Sequence, residues 1–100
     1  MARNRMMSIG EAIDLFLRKN RLKDQVDIQS VIGEWEVLMG QAISANTEKI
    51  WFQRGVLYIK MTSPVWKQEL SMARTKIKEL VNRKLKRNLV EEVRIIWGSL

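Results

Sequence analysis

GVLYIKMTSPVWKQELSMARTKIKELVNRKLKR, residues 55–87, changes its period part-way along, and that change decides the fold. Leu57, Ile59 and Met61 alternate with Tyr58 and Lys60, the two-residue period of a strand with one face towards a core. Ser63-Pro64 then starts a helix. A serine hydroxyl accepts from an orphan first-turn amide, and proline fits the first helical position, where its missing N–H costs nothing. From there Trp66, Leu70, Ala73, Ile77, Leu80 and Val81 recur at about 100° per residue, as one apolar stripe. The helix is expected to end between Leu85 and Asn88. Lys67, Arg74 and Lys78 lie along one edge of the stripe, and Lys76 and Arg83 along the other. Gln68, Ser71, Thr75 and Asn82 fall on the far side, polar but uncharged. Between Arg74 and Arg87 there are seven basic residues and one acid, Glu79. A purely solvated helix more often mixes its charges. Arg74, Lys76, Lys78, Arg83, Lys84, Lys86 and Arg87 are therefore the candidate contacts to an anionic partner.

Outward from this stretch, Thr47–Gln53 and Val56–Thr62 are rich in β-branched and aromatic residues. Only Arg54-Gly55 separates them, the length of a tight hairpin loop. Val90–Trp97 reads as a third strand, with Val93 and Ile95 on one face. Upstream, Ser8-Ile-Gly-Glu11 is a capping box. Behind it Ile9, Ala12, Ile13, Phe16 and Leu17 keep the spacing of a buried helical face, which is expected to end near Asn20. Lys23-Asp24 opens a second helix, with Ile28, Val31, Ile32, Trp35, Leu38, Met39, Ala42 and Ile43 on its apolar face and a stop at Asn46. Gly33 and Gly40 interrupt it, each at about 1 kcal/mol against alanine, and Gly40 either breaks it or lets another element approach.

The expected order is α-α-β-β-α-β. This is an α+β layer: a three-stranded sheet with helices packed on one face. If the second and third strands are parallel neighbours, the crossover between them is right-handed. Residues 8–97 form a single domain, residues 1–7 a flexible start and residues 98–100 a stub.

The totals agree. One hundred residues suit one domain, and 46% apolar with 29% charged residues is the composition of a folded chain. With no cysteine and no histidine, disulfides, zinc ribbons, thiol nucleophiles and histidine-based acid–base chemistry are excluded. The net charge of +7 and pI of about 10.2 are unevenly spread. Residues 63–100 carry nine basic and four acidic groups, while residues 31–62 carry three of each. Such asymmetry favours nucleic acid or an acidic protein surface. No signal-peptide core or membrane-length run occurs, so a cytoplasmic location is expected.

Catalytic groups are scarce. The acidic residues, such as Glu34 and Glu36 or Glu91 and Glu92, have the placing of solvated surface charges. The five glycines are isolated, so no phosphate-binding loop exists. No residues have metal-ligand spacing, and no cofactor is expected. Trp35 and Trp66 fall on helical core faces. Trp51 and Trp97 lie in strands, where an exposed indole would be free to stack on a base.

Three runs carry a family resemblance: Trp35-Glu-Val-Leu-Met-Gly40-Gln-Ala-Ile43; Gly55-Val-Leu-Tyr-Ile-Lys-Met-Thr-Ser63-Pro-Val-Trp66-Lys-Gln-Glu-Leu70; and Val93-Arg-Ile-Ile-Trp97. In order and spacing they resemble the DciA family of bacteria, over about residues 8–97. The resemblance implies a fold similar to KH domains. It lacks their Gly-x-x-Gly clamp, which this chain nowhere contains. It also implies DNA binding and a non-enzymatic role as loader or operator of the replicative helicase on single-stranded DNA. The matching residues Trp35, Gly40, Gly55, Leu57, Trp66, Glu69 and Leu70 read as architecture. Family members carry a flexible tail that engages the helicase. The resemblance here is to the folded domain alone, with Leu100 directly after the last strand, which leaves two alternatives: the helicase contact lies on the domain itself, or it is lost and the partner is another one.

The expected function is a non-catalytic, DNA-associated adaptor that neutralises phosphates through its basic helix, with no base specificity, membrane or small-molecule substrate. The alternatives are a module docking on an acidic protein partner and an RNA-binding or ribosome-associated KH-like factor.

Overall fold

Three strands and five helical segments make up the computed structural model, which describes residues 8–99. Helices α1 (Ile9–Gly33), α2 (Trp35–Met39) and α3 (Gln41–Ala45) precede the hairpin of β1 (Thr47–Gln53) and β2 (Val56–Met61). Helices α4 (Pro64–Ser71) and α5 (Arg74–Leu85) follow, and β3 (Glu92–Trp97) closes the chain. The mixed α+β architecture and the order of helical and strand regions are as expected. The flexible start proposed for residues 1–7 lies outside the described residues, as does Leu100.

The sheet runs β1-β2-β3, with β1 antiparallel to β2 and β3 parallel to β2. Arg54 (φ 50°) and Gly55 (φ 82°) form the turn. Two successive positive φ values give the chain reversal the twist of its flanking strands. The Gly55 carbonyl accepts from the amides of Glu91 and Glu92, at 2.8 and 3.3 Å, which brings the start of β3 alongside β2. Leu57, Ile59 and Met61 of β2 and Val93 and Ile95 of β3 are buried on one face, against Leu70, Ile77, Val81, Ile28, Val31 and Trp35 of the helices. Trp35 belongs to the core, as expected, and Trp66 is partly buried against it. The Trp35 indole N–H donates to Thr47 Oγ1 at 3.0 Å, and that hydroxyl donates to the Ile43 carbonyl at 2.7 Å. One side chain thus joins α2, α3 and β1.

The helix boundaries differ from expectation in three places. First, α1 does not stop at Asn20 but runs unbroken to Gly33. Neither glycine nor proline lies between Asn20 and Asp24, and a lone asparagine does not end a helix. Its first half does not bury its apolar face: Ile9, Ile13, Phe16 and Leu17 are exposed, Ile9 at 80% and Phe16 at 65%. Burial begins only at Ile28. Second, the expected second helix is divided at Glu34 and at Gly40, whose φ of 92° a non-glycine residue resists. Third, the long helix is two. Ala73, its amide bonded to the Leu70 carbonyl at 2.9 Å, resets the phase between α4 and α5. Asn82 is not on an open polar side but buried, because the segment leading to β3 folds over it. Its amide group donates to the Val90 carbonyl and accepts from the Val90 N–H, both at 2.9 Å.

Candidate nucleic-acid interface

The seven basic residues singled out on the sequence separate into two groups. Arg87, just beyond α5, donates from one guanidinium nitrogen to Asp24 Oδ1 and from the other to Asp27 Oδ2, both at 2.7 Å. The hydrogen bond to Asp24, then that to Asp27, raises its pKa above the ordinary arginine value. Lys84 Nζ meets Glu34 Oε2 at 2.8 Å. These two side chains hold α1 against the end of α5. The other five, Arg74, Lys76, Lys78, Arg83 and Lys86, make no ion pair among the described residues. Lys78, Arg83 and Lys86 line one shallow recess with Glu79, Asn82, Arg87 and Asn88. Lys86 holds the left-handed conformation, φ 57°, that terminates α5, with the Arg87 amide returning to the Asn82 carbonyl at 3.2 Å. Arg74 donates from Nε to the Ser71 carbonyl at 3.1 Å.

The second surface is the face of the sheet opposite the core. Pairing places Trp51 beside Tyr58 and Tyr58 beside Arg94, with Lys49 and Lys60 paired one step further along. The Trp51 and Tyr58 rings stack, centroids 5.1 Å apart and planes 9° from parallel. Lys49 Nζ lies 5.2 Å from the Trp51 ring centre, and the Arg94 guanidinium carbon 5.9 Å from that of Tyr58. Lys60 pairs with Glu48 at 3.0 Å and Arg94 with Glu92 at 2.7 Å, both partly or largely exposed. The Arg94 hydrogen bond holds the Glu92 carboxyl below its usual pKa. Trp97, 48% exposed at the end of β3, is not on this face: it pairs with Met61 and is in step with Val93 and Ile95, on the core side.

Of this surface the sequence singled out Trp51 as a stacking candidate and set Tyr58 and Lys60 on the strand face alternating with Leu57, Ile59 and Met61, but gave those two no role and missed Lys49 and Arg94. A two-residue turn at Arg54-Gly55 fixes the antiparallel register, so the Trp51–Tyr58 pair was available from the hairpin alone. Arg94 was not, because a parallel register has no local turn to set it.

Among the described residues no cluster of three acidic, cysteine or histidine side chains is placed to hold a metal ion. No described helix is long and apolar enough to cross a membrane. No curated protein and no solved structure compared with the chain matches it. The family model for Dna[CI] antecedent, DciA, matches residues 8–95, from the capping serine of α1 into β3, and the chain therefore belongs to the DciA family, associated with DNA replication and helicase loading.

Proposed function

We propose that this chain is a non-catalytic adaptor that grips the phosphate backbone of DNA through α5 and works beside the replicative helicase. The observation that supports it best is the set Arg74, Lys76, Lys78, Arg83 and Lys86, cations that make no ion pair among the described residues. Such charges attract a polyanion at no cost in broken ion pairs, and each phosphate they neutralise releases counterions. Five contacts to a single strand give a slope of about −3.5 in log affinity against log salt. Replacing Lys76, Lys78 and Arg83 together with serine should reduce that slope by about 2 and leave thermal stability nearly unchanged, because none of the three holds α1. An unchanged slope sinks the assignment of these residues. Competition between single-stranded DNA and structured RNA distinguishes the replication reading from an RNA-binding factor of KH-like build.

A second observation favours a protein contact. The first half of α1 presents Ile9, Ile13, Phe16 and Leu17 to solvent, and contiguous exposed apolar surface marks an interaction site. We assign this arm to the helicase contact. Ile13→Asp with Phe16→Asp should abolish co-elution with the replicative helicase while leaving DNA affinity and melting temperature as they were. Persistent co-elution places the contact elsewhere on the domain.

A further inference from the structure

We propose that the open face of the sheet is a binding site for single-stranded nucleic acid, with Trp51 and Tyr58 as its stacking platform. The proposal rests on the nucleic-acid reading above but moves base contact to a different surface from α5. The described helices bury their apolar residues against the other face of the sheet, so none covers these rings. The two rings form one aromatic layer, 5.1 Å between centroids, and a cation stands at each end of it, Lys49 on Trp51 and Arg94 on Tyr58. Lys60 adds a third positive group one pair along β2.

The chemistry of this arrangement selects its ligand. Stacked rings bounded by cations suit a polymer that alternates flat π-faces with negative charges, which is the description of a nucleic-acid strand. Duplex DNA does not fit, because its bases already stack on one another and present only their edges. An unpaired strand offers both parts. A base enters by displacing the Lys49 ammonium or the Arg94 guanidinium from a ring face. Both cations are on exposed side chains, where a cation–π contact is weaker than base–aromatic stacking. The displaced group then meets the adjacent phosphate. The Glu48 and Glu92 pairs do not prevent this, since exposed ion pairs exchange partners at little cost. The site distinguishes unpaired from paired strands and is indifferent to sequence, as every base has a π-face.

The test compares oligo(dT) with an abasic oligonucleotide of the same phosphate count, each binding measured by fluorescence anisotropy. The wild-type chain should prefer oligo(dT) by about tenfold, the scale of one base–aromatic stack. Trp51→Leu should bring the ratio close to one, and Trp51→Phe, which keeps a ring, should restore most of it. Because the readout is a ratio within one protein, a general loss of folded molecules leaves it unchanged. The Lys76, Lys78 and Arg83 serine variant should weaken both ligands alike and keep the ratio. Running oligo(rU) beside oligo(dT) assigns the strand as RNA or DNA by the tighter binding. Salt-sensitive binding with no preference for bases, or a preference that survives in Trp51→Leu, overturns this proposal and leaves the α5 reading intact. Absence of binding to every oligonucleotide overturns both.

Discussion

Asn82 carries more of the fold than its residue type implies. It is buried in α5, and both polar ends of its side chain are committed to Val90, the N–H and the C=O at 2.9 Å each. The segment between α5 and β3 has few backbone partners of its own, so this side chain stands in for a strand neighbour. Alanine there leaves the N–H and the C=O of buried Val90 without partners. That should cost about 2–3 kcal/mol and lower the melting temperature by roughly 10 °C or more for a domain of this size. Thr75→Ala, on an exposed position of the same helix, should change it by less than about 0.5 kcal/mol. Similar small shifts for both would show that water or a rearranged loop satisfies Val90. The sequence placed Asn82 on a polar far side because periodicity shows the helix alone and not the segment at Val90 that covers it. The stripe at Leu70, Ile77 and Val81 was read correctly, and all three are buried. The break at Ala73 was illegible, since no glycine or proline marks it.

At the scale of elements, α1 is two things in one helix. Its second half packs through Ile28 and Val31 and is tied down by Arg87 and Lys84. Among the described residues nothing buries the apolar side chains of its first half, which depends on local terms. Those terms are visible: Ser8 Oγ accepts from the Glu11 amide, and the Glu11 carboxylate accepts from the Ser8 amide, both at 3.1 Å. The backbone hydrogen bond from Ser8, then its side chain, holds the Glu11 carboxyl below its ordinary value. A carboxyl lowered in the helical state favours the helix above the usual carboxylate range. That support is lost as pH falls through the lowered value. Helicity measured by circular dichroism should therefore decline on acidification in the wild-type chain, and Glu11→Gln should flatten part of that decline. An identical acid titration in the variant would mean the capping box contributes nothing in solution. The periodicity of Ile9 to Leu17 announced an amphipathic helix, and one exists. Periodicity says which side is apolar, however, and not what lies against it. The expectation of a buried face failed for that reason. The hairpin's two-residue turn was legible because turn chemistry and alternation agree there, whereas the parallel β2–β3 pairing rested on topology alone.

The whole molecule is long for its mass. Its Cα radius of gyration is 17.3 Å, with extents of 63 × 27 × 20 Å, against about 13 Å for a compact chain of one hundred residues. The difference comes from the arm of α1, which extends past the sheet with its apolar side chains open. In water such an arm has an incentive to fold back, because burying even half of four large apolar side chains is worth several kcal/mol, at roughly 25 cal/mol per Å². Two features oppose this. The helix continues without a hinge into the segment held by Arg87 on Asp24 and Asp27, and breaking it mid-way would forfeit several hydrogen bonds and a nucleation step. The arm also carries Arg18, Lys19, Arg21 and Lys23, which stay solvated where it is. Small-angle X-ray scattering, extrapolated to zero concentration, should therefore give a radius of gyration near 17 Å or slightly above once hydration is included. A concentration series separates self-association, which raises the forward scattering with the radius, from a change in shape, which does not. Arg87→Met should leave the mass unchanged while loosening the arm's angle, broadening the distance distribution without shortening it. A radius near 13 Å at monomer mass would mean that the arm lies back along the body, and the helicase contact would then have to be sought on another surface.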